Sequence, residues 1–237
     1  MMGYIAVAID GPSGAGKSTV ARAAAARLGY VYVDTGAMYR AIGLAVCRRG
    51  IAEEDTAGII AVLPEIRLAI TYQNGTQHVV LNGEDVSEAI RTPEIARYAS
   101  KVSAVPAVRQ FLLDVQRGMA ENGNILMDGR DIGTVILPQA QVKIFLTASV
   151  EARAERRYLE LCEKGQAVTR EQVAADIAER DRQDMTRAIA PLRQAEGIPL
   201  VGVLGGAEDA VLLDTSALTL EESIQAVLRI IQEKTEE

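Results

Sequence analysis

The chain has no tryptophan, a single histidine, two cysteines and only 4% aromatic residues. Without aromatics there is no stacking platform for single-stranded nucleic acid. The lone His78 rules out a histidine-rich metal site, and its polar, strand-like surroundings suit a solvated surface position. Cys47 and Cys162 stand apart with no CxxC spacing, so neither a zinc site nor a disulfide framework is expected. A reduced, cytoplasmic setting follows. The apolar run Ile5–Ile9 is short and ends in Asp10, unlike a signal peptide, and no later run approaches the ~18 apolar residues of a membrane span. A formal net charge of −7 disfavours nucleic-acid polymers and anionic membranes as partners. Lysine is scarce too: five Lys stand against twenty Arg. Arginine's planar fork matches phosphate and carboxylate, but alanine is also abundant, so a compositional bias explains the number equally well. Position must carry any argument about arginine. What remains is 237 residues, 49% of them apolar, enough for one large α/β domain or a domain with an insertion.

Against that background, Ile5-Ala-Val-Ala-Ile-Asp-Gly11-Pro-Ser13-Gly14-Ala15-Gly16-Lys17-Ser18-Thr19 stands out. A buried-type strand runs into Gly-x-x-x-x-Gly-Lys-Ser, the phosphate-binding P-loop pattern. Glycines let backbone N–H groups approach phosphate oxygens with no Cβ in the way. Lys17 is spaced to reach the β- and γ-phosphates and Ser18 to hold Mg²⁺. The helix that follows turns its positive end toward the same anion. Residues 11 and 13–19 are therefore the candidate ATP-binding set.

Further strands are expected at 30–34, 125–128, 142–146 and 210–214, alternating with helices. The fold class predicted is α/β: a parallel five-stranded sheet of the P-loop NTPase type with helices on both faces. Three strands end in Asp34, Asp128 and Asp214, near any ligand at the carboxyl edge of the sheet. Asp128 has the position of a Walker-B carboxylate. Ser18, Asp34 and Asp128 are the candidate Mg²⁺ ligands. Residues 62–120 break the rhythm. Asn74-Gly75 signals a hairpin, Asn82-Gly83 another turn, and helices are expected over 92–103 and 106–121. This predicts an inserted antiparallel and helical subdomain over 62–120, dividing a core of 1–61 and 121–237, with a short lid near 153–168.

Thr35, Tyr39 and Arg40 follow the second strand, where a hydroxyl, a turn and a cation suit a second anion site; a plain helix cap would account for Thr35 alone. Arg130 and Asp131 follow the third strand as phosphate clamp and acceptor, although a surface Asp–Arg pair has the same sequence. Arg153, Arg156 and Arg157 fall at i, i+3, i+4 on one helix face. They suit lid arginines that neutralise a transferring phosphoryl group, or a solvated face paired with Glu155 and Glu160. Arg180, Asp184 and Arg187 lie on one stripe and suit either a phosphate and sugar grip or helix salt bridges.

Taken together, Ile9-Asp-Gly-Pro-Ser-Gly-Ala-Gly-Lys17, Asp34-Thr-Gly-Ala-Met-Tyr-Arg40, Gly83-Glu-Asp-Val86 with Ile90-Arg-Thr92, Asp128-Gly-Arg-Asp131 and Arg180-Asp-Arg-Gln-Asp184-Met-Thr-Arg187 resemble bacterial cytidylate kinases. The match covers roughly residues 4–192 and 208–234. The combination is specific, whereas the P-loop alone fits many NTPases. The resemblance implies ATP-dependent phosphorylation of CMP and dCMP; Mg²⁺ as cofactor and a monomeric enzyme are expected beside it. It implies Thr35, Ser100, Arg109 and Asp131 around the nucleoside, Arg40, Arg130 and Arg187 at the acceptor phosphate, and Arg180 with Asp184 at the sugar. It also implies a lid carrying Arg153, Arg156 and Arg157. Lys17, Arg130, Arg153, Arg157 and Arg187 are thus the candidate catalytic groups. A P-loop kinase for another monophosphate or small metabolite is the nearest alternative. A nucleotide switch is a further one, though no Asn-Lys-x-Asp guanine signature is present. Two departures stand out. Thr35 replaces the family's usual serine, and residues 193–206 are longer and more apolar than the family pattern.

Overall fold

The computed structural model describes residues 4–163, 165–186 and 207–236. In chain order the elements are β1 (Ala6–Asp10), α1 (Lys17–Leu28), β2 (Val31–Asp34), α2 (Thr35–Arg48), α3 (Thr56–Val62), β3 (Leu68–Gln73), β4 (Thr76–Leu81), β5 (Glu84–Asp85), α4 (Pro93–Ser103), α5 (Pro106–Gly118), β6 (Ile125–Gly129), β7 (Val142–Thr147), α6 (Val150–Glu163), α7 (Arg170–Thr186), β8 (Val211–Asp214) and α8 (Leu220–Glu236). A π-turn over Ile132–Ile136 separates β6 from β7. The predicted apolar extension at 193–206 lies outside the described residues. Helix α3 was not legible in the sequence: it is seven residues long, too short to show a period.

Five strands form the expected parallel sheet, in the order β2-β6-β1-β7-β8. Alternation along β1 explains the layering. Val7 and Ile9 turn to one face, among Val20, Ala21 and Ala24 of α1 and Ile224, Val227 and Ile231 of α8. Ala8 turns to the other face, beneath α2. Because β1 is central and its neighbours β6 and β7 enter much later in the chain, its carboxyl end is the topological switch point of the sheet. Ligands bind there in open α/β sheets.

The inserted segment builds a three-stranded antiparallel sheet, β3-β4-β5. Asn74-Gly75 and Asn82-Gly83 supply the turns, all four residues at positive φ. Two proline-started helices follow, α4 capped by the Thr92 hydroxyl. The insertion shares its hydrophobic core with the sheet: Val79, Leu81, Ile95, Val102 and Leu112 join Val33, Met38 and Ile125 in one cluster. Gly43 makes this possible, since a Cβ there would come within 3.0 Å of Tyr98 Cβ on α4. The hairpin also bonds to the edge strand. Asp34 N donates to Gln77 Oε1 (2.8 Å), Gln77 Nε2 donates to Asp34 O (3.2 Å), and the Tyr72 hydroxyl donates to Tyr32 O (3.1 Å). The insertion is thereby fixed to the strand that carries the second anion motif.

Candidate active site

The loop after β1 is shaped by its glycines. Gly11 sits at φ 149°, and a Cβ on it would stand 1.9 Å from the Leu146 carbonyl oxygen of β7. No flexible side chain is there to yield. Gly11→Ala is therefore expected to displace the loop from the sheet, lowering the thermal midpoint and nearly abolishing nucleotide binding, both measurable in one ligand-titrated melt. Gly14 and Gly16 are also left-handed. Helix α1 begins with no side-chain cap and no acidic residue in its first turn, which leaves its N-terminal N–H groups open to an anion.

Lys17 is buried, and its Nζ donates to the Pro12 carbonyl at 2.6 Å. Burial, and then the charge of Arg130, push its pKa well below the usual lysine value, against Asp128, Asp184 and Asp10. Arg180 is pushed down to about 10, first by burial and then by Arg130, with Arg40 and Arg157 adding to it and Asp184 opposing. Arg130 keeps its charge against burial through Asp184, to which its Nε donates at 2.9 Å. Lys17, Arg130, Arg40 and Arg180 thus gather near the carboxyl edge of the sheet, and the charge of Arg130 disfavours that of both Lys17 and Arg180. Asp184 and Asp34 offset part of this charge through Arg130 and Arg40, and a polyanion would suit the rest.

Asp128 ends β6 with both oxygens engaged: Ser18 Oγ donates to one at 2.9 Å and the Tyr32 hydroxyl to the other at 2.8 Å. Burial, then the charge of Asp34, raise its pKa to about 6. A carboxyl whose folded pKa lies above its unfolded value stabilises the fold most when protonated, and that contribution is lost as pH rises through the window from about 4 to about 6. Relative to Asp128→Asn, the nucleotide-free wild type should therefore lose stability across that window and level off above it. Urea midpoints of the two proteins at several pH values measure this; a constant difference would refute it.

Arg109 of α5 pairs with Asp131, donates to the Ser103 carbonyl at 3.0 Å and lies over the Tyr39 ring at 5.5 Å. Both partners of the ion pair are largely buried. Ser100 Oγ donates to Gln183 Oε1 at 3.2 Å, which joins the insertion to α7.

Comparison with known proteins gives the family. The chain matches the cytidylate kinase family over residues 7–233. It is 47% identical to the cytidylate kinase of Syntrophotalea carbinolica over 96% of this chain and 92% of that one. It is 48% identical to that of Caldicellulosiruptor saccharolyticus over 97% and 96%. It belongs to the cytidylate kinase family.

Several expected residues have other surroundings than the sequence implied. Thr35 is buried and its hydroxyl donates to the Asp128 carbonyl at 2.8 Å, tying β2 to β6. Asp34 caps α2 through Ala37 N (2.9 Å) and pairs with Arg40 (2.7 Å), so both its oxygens are engaged away from Ser18. Arg153, Arg156 and Arg157 do not share a face in their contacts. Arg153 is buried to 1% exposure, donates to the Ala148 and Ser13 carbonyls and pairs with Asp181 at 2.7 Å. Arg156 grips the Thr215 carbonyl. Arg157 alone is exposed, beside Glu160. Spacing placed these three on one helical stripe, but only the tertiary neighbours decide which reaches solvent. Arg187 lies outside the described residues. The sequence reading missed Tyr32, Gln77, Gln183 and Asp181. Each acts through a contact more than 27 positions away in the chain, and no local pattern marks it.

Proposed function

We propose that this kinase transfers the γ-phosphoryl group of ATP to the 5′-phosphate of CMP and dCMP. The observation that carries the reading is the gathering of Lys17, Arg130, Arg40 and Arg180 beside a P-loop, together with a largely buried Arg109–Asp131 pair. Two polyanions must meet for this reaction, and this positive density offsets their repulsion despite the net charge of −7.

Residues 11 and 13–19 hold the donor, with Lys17 on the migrating group. Arg40, Arg130 and Arg187 hold the acceptor phosphate, and Arg180 with Asp184 the sugar. Tyr39 stacks beneath Arg109, and Ser100, Arg109 and Asp131 line the base. The acceptor is already an ionised phosphate, so no general base is needed, and positioning with in-line approach suffices. Ser18 and Asp128, oxygen donors 2.9 Å apart, suit Mg²⁺, a hard cation that takes few protein ligands. There the ion would supply charge neutralisation for the transferring phosphoryl group. We leave Asp34 out of that set because it is paired with a cation, Arg40, whereas Asp128, among the described residues, bonds only hydroxyls, that of Ser18 among them; Thr35 acts by fixing β2 against β6. Arg153 serves by holding the P-loop at Ser13, and Arg157 is the lid cation able to move. Residues 62–120 form the acceptor-side segment and about 153–168 the lid, on a monomer in the cytoplasm. No helix among the described residues is long and apolar enough to cross a membrane.

A coupled assay with CMP, dCMP, UMP and AMP tests the reading. CMP and dCMP should be turned over with the highest kcat/KM; equal turnover of AMP would overturn it. Within that assay, Arg130→Ala should raise the KM for CMP by about 10²-fold with much less effect on ATP. Equal effects on both substrates would assign Arg130 to the donor side.

A further inference from the structure

The π-turn that follows Asp131 is held from three sides. Its bonds are i→i+5: Ile136 N donates to Asp131 O at 3.2 Å and Leu137 N to Ile132 O at 2.7 Å. Such turns leave part of the backbone unpaired, recur at functional sites and persist where the surroundings fix them. Here the opening N–H groups enter one buried carboxylate. Ile132 N donates to Asp10 Oδ1 at 2.7 Å and Gly133 N to Asp10 Oδ2 at 2.8 Å. At the other end, Arg117 donates to the Val135 carbonyl at 2.9 Å and the Ile136 carbonyl at 3.1 Å. Arg117 lies on α5, about two turns beyond Arg109, so one helix grips this loop twice. It takes the side chain of Asp131 through Arg109 and the carbonyls of the turn through Arg117.

Asp10 and Arg117 line no part of the proposed substrate site. Asp10 is the residue immediately before Gly11, and both its oxygens are spent on the acceptor loop. It therefore ties the backbone that bears the donor loop to the backbone that bears Asp131. A buried carboxylate carries a desolvation cost, which shows in its pKa, raised to about 6 chiefly by burial. A neutral residue could fill the same space without that cost. The ionic acceptor is what two parallel N–H donors require.

We propose that Asp10 and Arg117 are positioning residues for base selection, clamping the π-turn from opposite ends so that Asp131 meets the acceptor base in one register. The inference rests on the proposed CMP reaction, and it adds two residues that touch no substrate.

The test is steady-state kinetics of full-length Asp10→Asn and Arg117→Met with ATP, CMP and UMP, beside wild type. Arg117→Met keeps the stem and removes the donors. It should raise the KM for CMP about tenfold, leave that for ATP within about twofold, and lower the CMP-over-UMP ratio. Asp10→Asn replaces one oxygen by a donor facing an N–H, and should act in the same direction by up to about 10²-fold, the scale of a 1 Å misplacement. Arg117→Lys, which restores one donor, should recover part of the ratio. If Asp10→Asn does not fold, the Arg117 pair decides alone by the same criteria. Parallel losses on CMP, UMP and ATP, or unchanged CMP kinetics in Arg117→Met, would overturn the proposal. Failure of the functional reading looks different: wild type itself would then show no preference for CMP.

Discussion

Replacing Lys17 by alanine should lower kcat at saturating ATP by 10²-fold or more, on the order of the loss seen when one charged or hydrogen-bonding contact to a developing anion is removed. The fold should not suffer. Lys17 is a buried cation whose ionised form is disfavoured by burial and by Arg130, and its one hydrogen bond is to a carbonyl of its own loop. A group held in an unfavourable protonation environment weakens the native state. Lys17→Ala should therefore unfold at the same temperature as wild type or higher in the absence of nucleotide. This is the signature of a site that gives up stability for function. Because the expected changes in rate and stability have opposite signs, a general loosening of the P-loop cannot imitate them. A near-normal kcat would remove Lys17 from the migrating phosphate, and a lower thermal midpoint would show that it is part of the scaffold.

The parts of this molecule that were legible in the sequence are those whose cause is local. A run such as Ile5–Asp10 into Gly11–Ser18 specifies a strand, a turn and a helix start within fourteen residues. Asn-Gly pairs demand left-handed backbone, and both turns appear where they stand. The fold class and the five core strands followed from such signals. The strand order did not, because β6 is inserted between β2 and β1 by pairing over more than ninety positions. Site chemistry divided in the same way. Asp128 was marked by its place at a strand end, but Tyr32, which holds one of its oxygens, is an ordinary strand residue by pattern. Arg153 and Arg157 have the same residue type on one helical stripe. One is buried against Ser13 and Asp181, the other is exposed. The difference comes from α7 packing onto α6 through Ala154, Val173 and Ile177, a contact absent from either helix read alone.

The base should be read by Asp131, and Asp131→Asn should lower the CMP-over-UMP ratio in kcat/KM sharply. Cytosine carries an exocyclic amino donor where uracil has a carbonyl oxygen. An ionised carboxylate only accepts hydrogen bonds, so it suits cytosine and opposes uracil. Asp131 gives one oxygen, Oδ2, to Arg109, and no donor among the described residues reaches Oδ1. That leaves an acceptor for the amino group. Arg109 in turn is steadied by the Ser103 carbonyl and the Tyr39 ring, and offers only donors, which suit the O2 and N3 acceptors of cytosine. Where a buried polar group is left unpaired by the wrong substrate, discrimination can reach ~10⁴-fold. The ion pair complicates the experiment in one respect. Asparagine also leaves Arg109 without its charged partner, and breaking a buried pair is costly for any bound base. That loss applies to CMP and UMP alike and cancels in their ratio. The ratio therefore isolates what Asp131 reads from what it supports. If it falls by about 10²-fold or more, with the amide now able to donate to uracil, Asp131 reads the base directly. If both substrates lose the same factor, Asp131 serves only to orient Arg109, and selection against uracil lies with Arg109.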